Sequence, residues 1–126
     1  MIEIDTESPE PIFEQIIGQI GMAIQEGKLK EGDKLPPIRQ LSTDLEINPN
    51  TVAKAYQILE EFNIIETFGR SGCIITPRAL DNFENWLIKI TKDQLHSSWS
   101  KILALSPNKS IARKIWKQSV KELRDE

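Results

Sequence analysis

Between Pro11 and Gln25 the apolar residues fall at Ile12, Phe13, Ile16, Ile17, Ile20, Ala23 and Ile24, the three- and four-residue spacing that lines one face of an α-helix. Pro9 and Pro11 suit its first turn, where a missing N–H costs nothing, and Gly27 is placed as a stop. Gly18 and Gly21 weaken this helix by about 1 kcal/mol each relative to alanine, and they leave room for close approach by another helix. Before it, Ile2 and Ile4 alternate with Glu3 and Asp5, the pattern of a brief edge strand in an extended arm. After it, Lys28 to Pro36 reads as a polar loop with Leu29 and Leu35 isolated in it. The helical period then returns twice in short form. Ile38, Leu41 and Leu45 predict a helix from Pro37 to Leu45; Val52, Ala55, Tyr56, Leu59 and Phe62 predict another from Pro49 to about Phe62. Only Glu46-Ile47-Asn48 separates them. Two β-like runs, 64–68 and 73–76, flank Gly69-Arg70-Ser71-Gly72, a hairpin signal closed by Pro77. From Leu80 to Leu105 a long helical pattern takes over. Ser106-Pro107-Asn108 interrupts it, with Ser106 placed to cap and Pro107 to start a last helix to about Leu123.

Helix, turn, helix, hairpin is the order of a winged helix-turn-helix, whose main use is reading DNA. The predicted fold class is mainly α with a small β-hairpin. A winged helix-turn-helix domain over 1–78 is followed by a two-helix dimerisation tail over 79–126. A recognition helix enters the major groove by its N-terminal end, where small polar residues fit between base edges and phosphates. Asn48, Asn50 and Thr51 meet that need. Asn50 has the chemistry to bond an adenine edge bidentately, and Thr51 to meet a phosphate or a thymine methyl. Lys54, one turn on, reaches for the backbone. Arg39 is placed for a guanine or a phosphate, and Arg70 offers a cation on a turn narrow enough for a minor groove. Each has a plainer reading: Asn48 as a helix cap, Asn50 and Thr51 as first-turn residues, Arg39 paired with Asp44 or Glu46, Lys54 and Arg70 as solvated charges.

Charge complicates this picture. The 126-residue chain has a net charge of -3. Up to Arg78 it carries 7 Lys+Arg against 13 Asp+Glu, net -6; beyond Arg78 it carries 9 against 6, net +3. The expected reading head is thus the acidic part, which favours an alternative: a winged-helix module for protein–protein assembly without specific DNA binding. Composition adds little else. Apolar content of 39% suits a globular chain. No apolar run reaches a membrane span and no signal pattern follows Met1, so the expected location is cytoplasmic. The single cysteine, Cys73, excludes an internal disulfide and is expected as a structural thiol rather than a redox sensor. His96 stands without ligand partners, so no metal is expected; no nucleophile–base arrangement or cofactor motif is visible, so neither is catalysis or any cofactor.

The run Pro11-Ile-Phe-Glu-Gln-Ile, then Gly27-Lys-Leu-Lys-Glu-Gly-Asp-Lys-Leu-Pro36, Arg39-Gln-Leu-Ser, Ile47-Asn-Pro-Asn-Thr-Val52, Ala55-Tyr56 and Leu59-Glu60 resembles the GntR family of transcription regulators. With a short helical tail it looks most like the YtrA-type subfamily. The resemblance implies operator DNA contacts by Arg39, Asn48, Pro49, Asn50, Thr51 and the wing residues Arg70, Ser71 and Gly72. It also implies a homodimer, usually a repressor. The sequence departs from the family pattern at Pro37, where a hydroxyl cap is frequent, at Ala53, where some relatives carry a cation, and at Asn63, where glycine is common.

About 48 residues follow Arg78. Two helices do not enclose a typical pocket of ~300 Å3 or more alone, but their apolar stripes fit a second copy. The expected dimer interface is Phe83, Trp86, Leu87, Ile90, Trp99, Ile102, Leu103, Ile111, Ile115, Trp116 and Val120. A small-molecule effector between subunits, walled by the tryptophans, is a lesser expectation. The function predicted is a homodimeric, sequence-specific DNA-binding regulator acting on a near-palindromic operator.

Overall fold

The computed structural model describes residues 2–69 and 72–126. Its elements are α1 (Ile12–Gln25), β1 (Lys34–Leu35), α2 (Ile38–Leu45), α3 (Pro49–Glu61), β2 (Ile65–Thr67), β3 (Cys73–Ile75), α4 (Ala79–Leu105) and α5 (Lys109–Arg124). They divide into two compact units, Met1–Trp86 and Leu87–Glu126.

In the first unit α1, α2 and α3 pack around a core whose fully buried members include Ile16, Ile17, Ile20, Val52, Leu59, Ile64, Ile65 and Ile75. Each aliphatic side chain so buried contributes about 1.5–3 kcal/mol. α1 ends as its glycine foretells: Gly27 takes φ 77, and the N–H groups of Lys28 and Leu29 turn back onto the Ala23 carbonyl. The sheet is antiparallel in the order β1-β3-β2. Thr67 pairs with Cys73 and Ile65 with Ile75 across the hairpin, while Lys34 and Leu35 pair with Ile74 and Cys73. The loop expected at Lys28 to Pro36 therefore contains a third strand. Leu29 and Leu35 are buried rather than isolated.

The arm before α1 is not an edge strand. Its backbone is held by two glutamines one turn apart on α1. Glu3 N–H donates to Gln19 Oε1 (2.7 Å), and Gln19 Nε2 donates to the Glu3 carbonyl. Asp5 N–H donates to Gln15 Oε1 (2.9 Å), and Gln15 Nε2 to the Asp5 and Glu10 carbonyls. Each side-chain amide thus meets a residue's donor and acceptor as a neighbouring strand would.

Phe83 and Trp86 depart from the expected interface. Both are buried within the first unit, stacked with centroids 6.0 Å apart. Gly21 makes room for Phe83: a Cβ there would lie 2.3 Å from its ring. The helix expected to approach α1 at its glycines is the start of α4, and Gly21, not Gly18, admits it. These two aromatics are core, and the first unit extends through Trp86, past the expected boundary at Arg78.

In the second unit Trp99 of α4 meets Trp116 of α5 edge-to-face, centroids 5.6 Å apart, and Ala112 is fully buried. α5 begins later than expected. Asn108, not Ser106, is its cap: Oδ1 accepts from Ile111 N–H at 3.0 Å, and the first helical residue is Lys109.

Candidate nucleic-acid interface

The turn between α2 and α3 is built without glycine. Glu46 adopts the left-handed conformation, φ 56, and Ile47 N–H returns to the Ser42 carbonyl. Ser42 is itself buried, and its hydroxyl donates to the Arg39 carbonyl at 2.9 Å. α3 then starts as its sequence specifies. Asn48 Oδ1 accepts from Asn50 N–H at 2.8 Å, and Pro49 takes the first helical position. α2 starts with Pro37 and has no side-chain cap. Tyr56 reaches across from α3 and donates its hydroxyl to the Pro36 carbonyl at 2.6 Å, which anchors the segment that leads into α2. Burial, and secondarily the neighbouring Cys73 thiol, push the Tyr56 phenol well above its ordinary pKa, so it remains a neutral donor.

Asn48, Pro49 and Asn50 are exposed at the start of α3, Thr51 is half-buried, and Arg39 is exposed in the first turn of α2. Among the described residues Arg39 enters no ion pair, so neither Asp44 nor Glu46 takes it up. Lys54 is exposed, with its ammonium 4.0 Å from the centroid of the Phe13 ring, a cation–π contact that ties it to α1. Periodicity placed Phe13 on the apolar face of its helix, and nothing local paired it with Lys54. Gly72 adopts φ 95 at the end of the hairpin, where Phe68 N–H donates to its carbonyl. Arg70 and Ser71 lie outside the described residues.

A cleft of about 580 Å3 runs between α3 and the hairpin, with Ala53, Tyr56 and Gln57 on one side and Thr67, Gly72 and Cys73 on the other. Ala53 leaves open the space a longer side chain would fill. Below it, Thr67 Oγ1 donates to Glu60 Oε2 at 2.9 Å, fixing a wing strand to α3. Asn63, left-handed at φ 56, stands in for the expected glycine, and its carbonyl accepts from Thr76 Oγ1 and Asn82 Nδ2.

In the second unit Leu87, Ile111 and Ile115 are exposed, while Ile90, Trp99, Ile102, Leu103, Trp116 and Val120 are half-buried. Ile88, Leu95, Leu105 and Leu123 are further exposed apolar residues outside the expected interface set. Lys92, Leu95, His96, Trp99 and Trp116 line a pocket of about 330 Å3.

A helix-turn-helix with a sheet-borne wing defines a class of DNA-binding regulators, and the comparisons specify which. The model of bacterial regulatory proteins of the gntR family matches residues 12–75. The HTH-type transcriptional repressor YtrA of Bacillus subtilis is 44% identical over 75% of this chain and 73% of its own length. YtrA from Sulfolobus acidocaldarius, a GntR-family transcription factor, superposes with a TM-score of 0.59 at 38% identity, covering 73% of this chain and 97% of that one. A transcriptional antiterminator from Listeria monocytogenes EGD-e superposes with a TM-score of 0.64 at 31% identity, covering 95% and 90%. The chain belongs to the GntR family and is YtrA-like: a DNA-binding transcription regulator, not an enzyme.

Proposed function

We propose that the protein is a cytoplasmic, sequence-specific repressor that acts as a homodimer on an operator of two related half-sites. The capped start of α3 carries this reading: Asn48 and Pro49 fix its first turn, and Asn50 and Arg39 stand exposed beside it. Asn50 would read a base edge, Thr51 and Lys54 would meet the backbone, and Arg70, Ser71 and Gly72 would approach from the wing. The relative named as a repressor supports the sign of regulation. The exposed apolar residues of α4 and α5 support pairing of two tails, since such a row on a monomer favours association. Selection from random duplex DNA should enrich a motif with near two-fold symmetry. Arg39→Ala should weaken binding to that motif by about 1–3 kcal/mol if Arg39 reads a base. Enrichment of no motif would sink the reading.

The aromatic pocket in the second unit supports a small-molecule effector as well. Its walls are Trp99, Trp116 and Leu95, and Lys92 and His96 supply polar groups at the same place. An amphipathic anion matches that lining. Tryptophan emission during a metabolite screen reads the site directly, and a screen with no responding compound would leave the DNA-binding reading intact while removing the effector.

A further inference from the structure

We propose that the polar face of α5 is a second DNA-contacting surface, one that holds phosphates without reading sequence. α5 carries Lys109, Arg113, Lys114, Lys117, Lys121 and Arg124 against a single acid, Glu122, a net +5 over 16 residues. At 100° per residue these six cations fall within less than half of the helix circumference, and they extend along about 22 Å of axis. Ile111, Ala112, Ile115, Trp116 and Leu123 occupy the other side, and Val120 is the one apolar residue that falls among the cations, at the edge of their arc. All six cations are exposed, and among the described residues the ion pairs are Lys28–Glu26, Arg78–Asp81 and Lys89–Asp93, none of them on α5. Six like charges on one face repel one another, and among the described residues no acid pairs with them. A polyanion would.

Duplex DNA fits better than a lipid surface. A basic amphipathic helix binds a bilayer by sinking its apolar face. Here that face is partly occupied, since Ala112 is fully buried and Trp116 packs edge-on against Trp99. DNA needs only the cations, and it offers one phosphate charge per about 1.7 Å of axis. The inference rests on the reading of this chain as a DNA-binding regulator. It explains how a chain whose first 78 residues carry net -6 approaches a polyanion: the attraction is supplied by the tail.

The test uses the full chain and a labelled duplex of random sequence several helical turns long. Binding is followed by anisotropy between about 50 and 200 mM salt. The variant R113Q/K114Q/K117Q/K121Q should keep its helicity, since glutamine is a good helix former. It should bind at least about tenfold more weakly, with a log–log salt slope lower in magnitude by about 2–4. The charge-conserving variant K114R/K117R/K121R should behave as the parent, and N50A/T51A should lose preference for a selected motif while keeping the tail's share of the slope. Wild-type binding to duplex with an unchanged slope in the quadruple variant overturns the proposal and leaves the helix-turn-helix reading standing. Absence of any duplex binding by the parent at the lowest salt overturns both. Tail-dependent, salt-sensitive binding without an enriched motif supports the tail surface and removes the sequence-reading head. Binding of the parent to phosphatidylserine vesicles, lost in the quadruple variant while duplex binding is unchanged, identifies a membrane surface instead.

Discussion

Gly21 and Gly18 lie on the same helix but have opposite worth. A methyl group at Gly21 would enter the Phe83 ring, whereas at Gly18 it meets nothing within 4 Å. Gly21→Ala should therefore lower stability by about 1–3 kcal/mol through overpacking. Gly18→Ala should raise it by up to about 1 kcal/mol through helix propensity. Urea titration of both variants checks the pair, and equal effects would remove the assigned role of Gly21. Tyr56 makes a pH prediction. Its phenol is held neutral in the fold, while in the unfolded chain it ionises near the ordinary value of about 10. Its contribution is present below that pH and is lost as pH rises through and above it, by up to about 1.4 kcal/mol per unit. Tyr56→Phe should flatten the alkaline decline seen in unfolding measured from pH 8 to 11, and should cost about 1 kcal/mol at neutral pH through the orphaned Pro36 carbonyl. Each role was legible only in part. The sequence offers the α1 glycines as a place for another helix and puts Tyr56 on a core-facing stripe, but it does not say which glycine is used, or which ring or carbonyl lies opposite. Asn48, Pro49 and Gly27 were legible because caps and stops act within a few residues of themselves.

The helices of the head were readable for the same reason: each carries its own period and its own ends. β1 was not, because two residues have no period, and it exists only through its pairing with β3. The alternation of Ile2 and Ile4 does describe an extended chain, yet extension alone makes no strand, and here Gln15 and Gln19 provide the partner. At α5 the local signals conflicted: Ser106-Pro107 and Asn108 both offer a cap. The competition is decided by the Asn108 side chain bonding Ile111 N–H. Asn108→Ala should lower stability by about 1 kcal/mol, whereas Ser106→Ala should leave the helix start intact. Far-UV circular dichroism and thermal melts of the two variants check this, and the reverse order of effects would return the start to Pro107.

Across the whole chain, the tail's apolar pattern was plain, but the destination of each residue was not. A 3.6-residue stripe says that Phe83, Trp86 and Ile115 share an apolar character. It does not say that Phe83 and Trp86 are covered by their own chain while Ile115 remains 47% exposed. The proposed dimer must then depend on the residues left open. Ile111→Asp with Ile115→Asp places two charges on that row and should convert a species of twice 14.4 kDa into monomer. Light scattering after size exclusion measures it. An unchanged mass would move the interface elsewhere. A monomer would also lose half of its operator contacts, so motif binding should weaken alongside.

The cap of α3 has one more consequence, for the information an operator would carry. Asn48 Oδ1 accepts the Asn50 N–H, which engages one of the two lone pairs of that oxygen and leaves the whole side-chain NH2 group. If Asn48 faces a base, its free NH2 group favours facing it as a donor. Guanine O6 and N7, adenine N7 or thymine O4 would satisfy it; the cytosine amino group would not. Asn50, whose side chain is not engaged in this way, keeps both faces of its amide. In an aligned set of selected sites, the column under Asn50 should therefore be sharp for adenine, and the one under Asn48 should be broad, depleted only in cytosine.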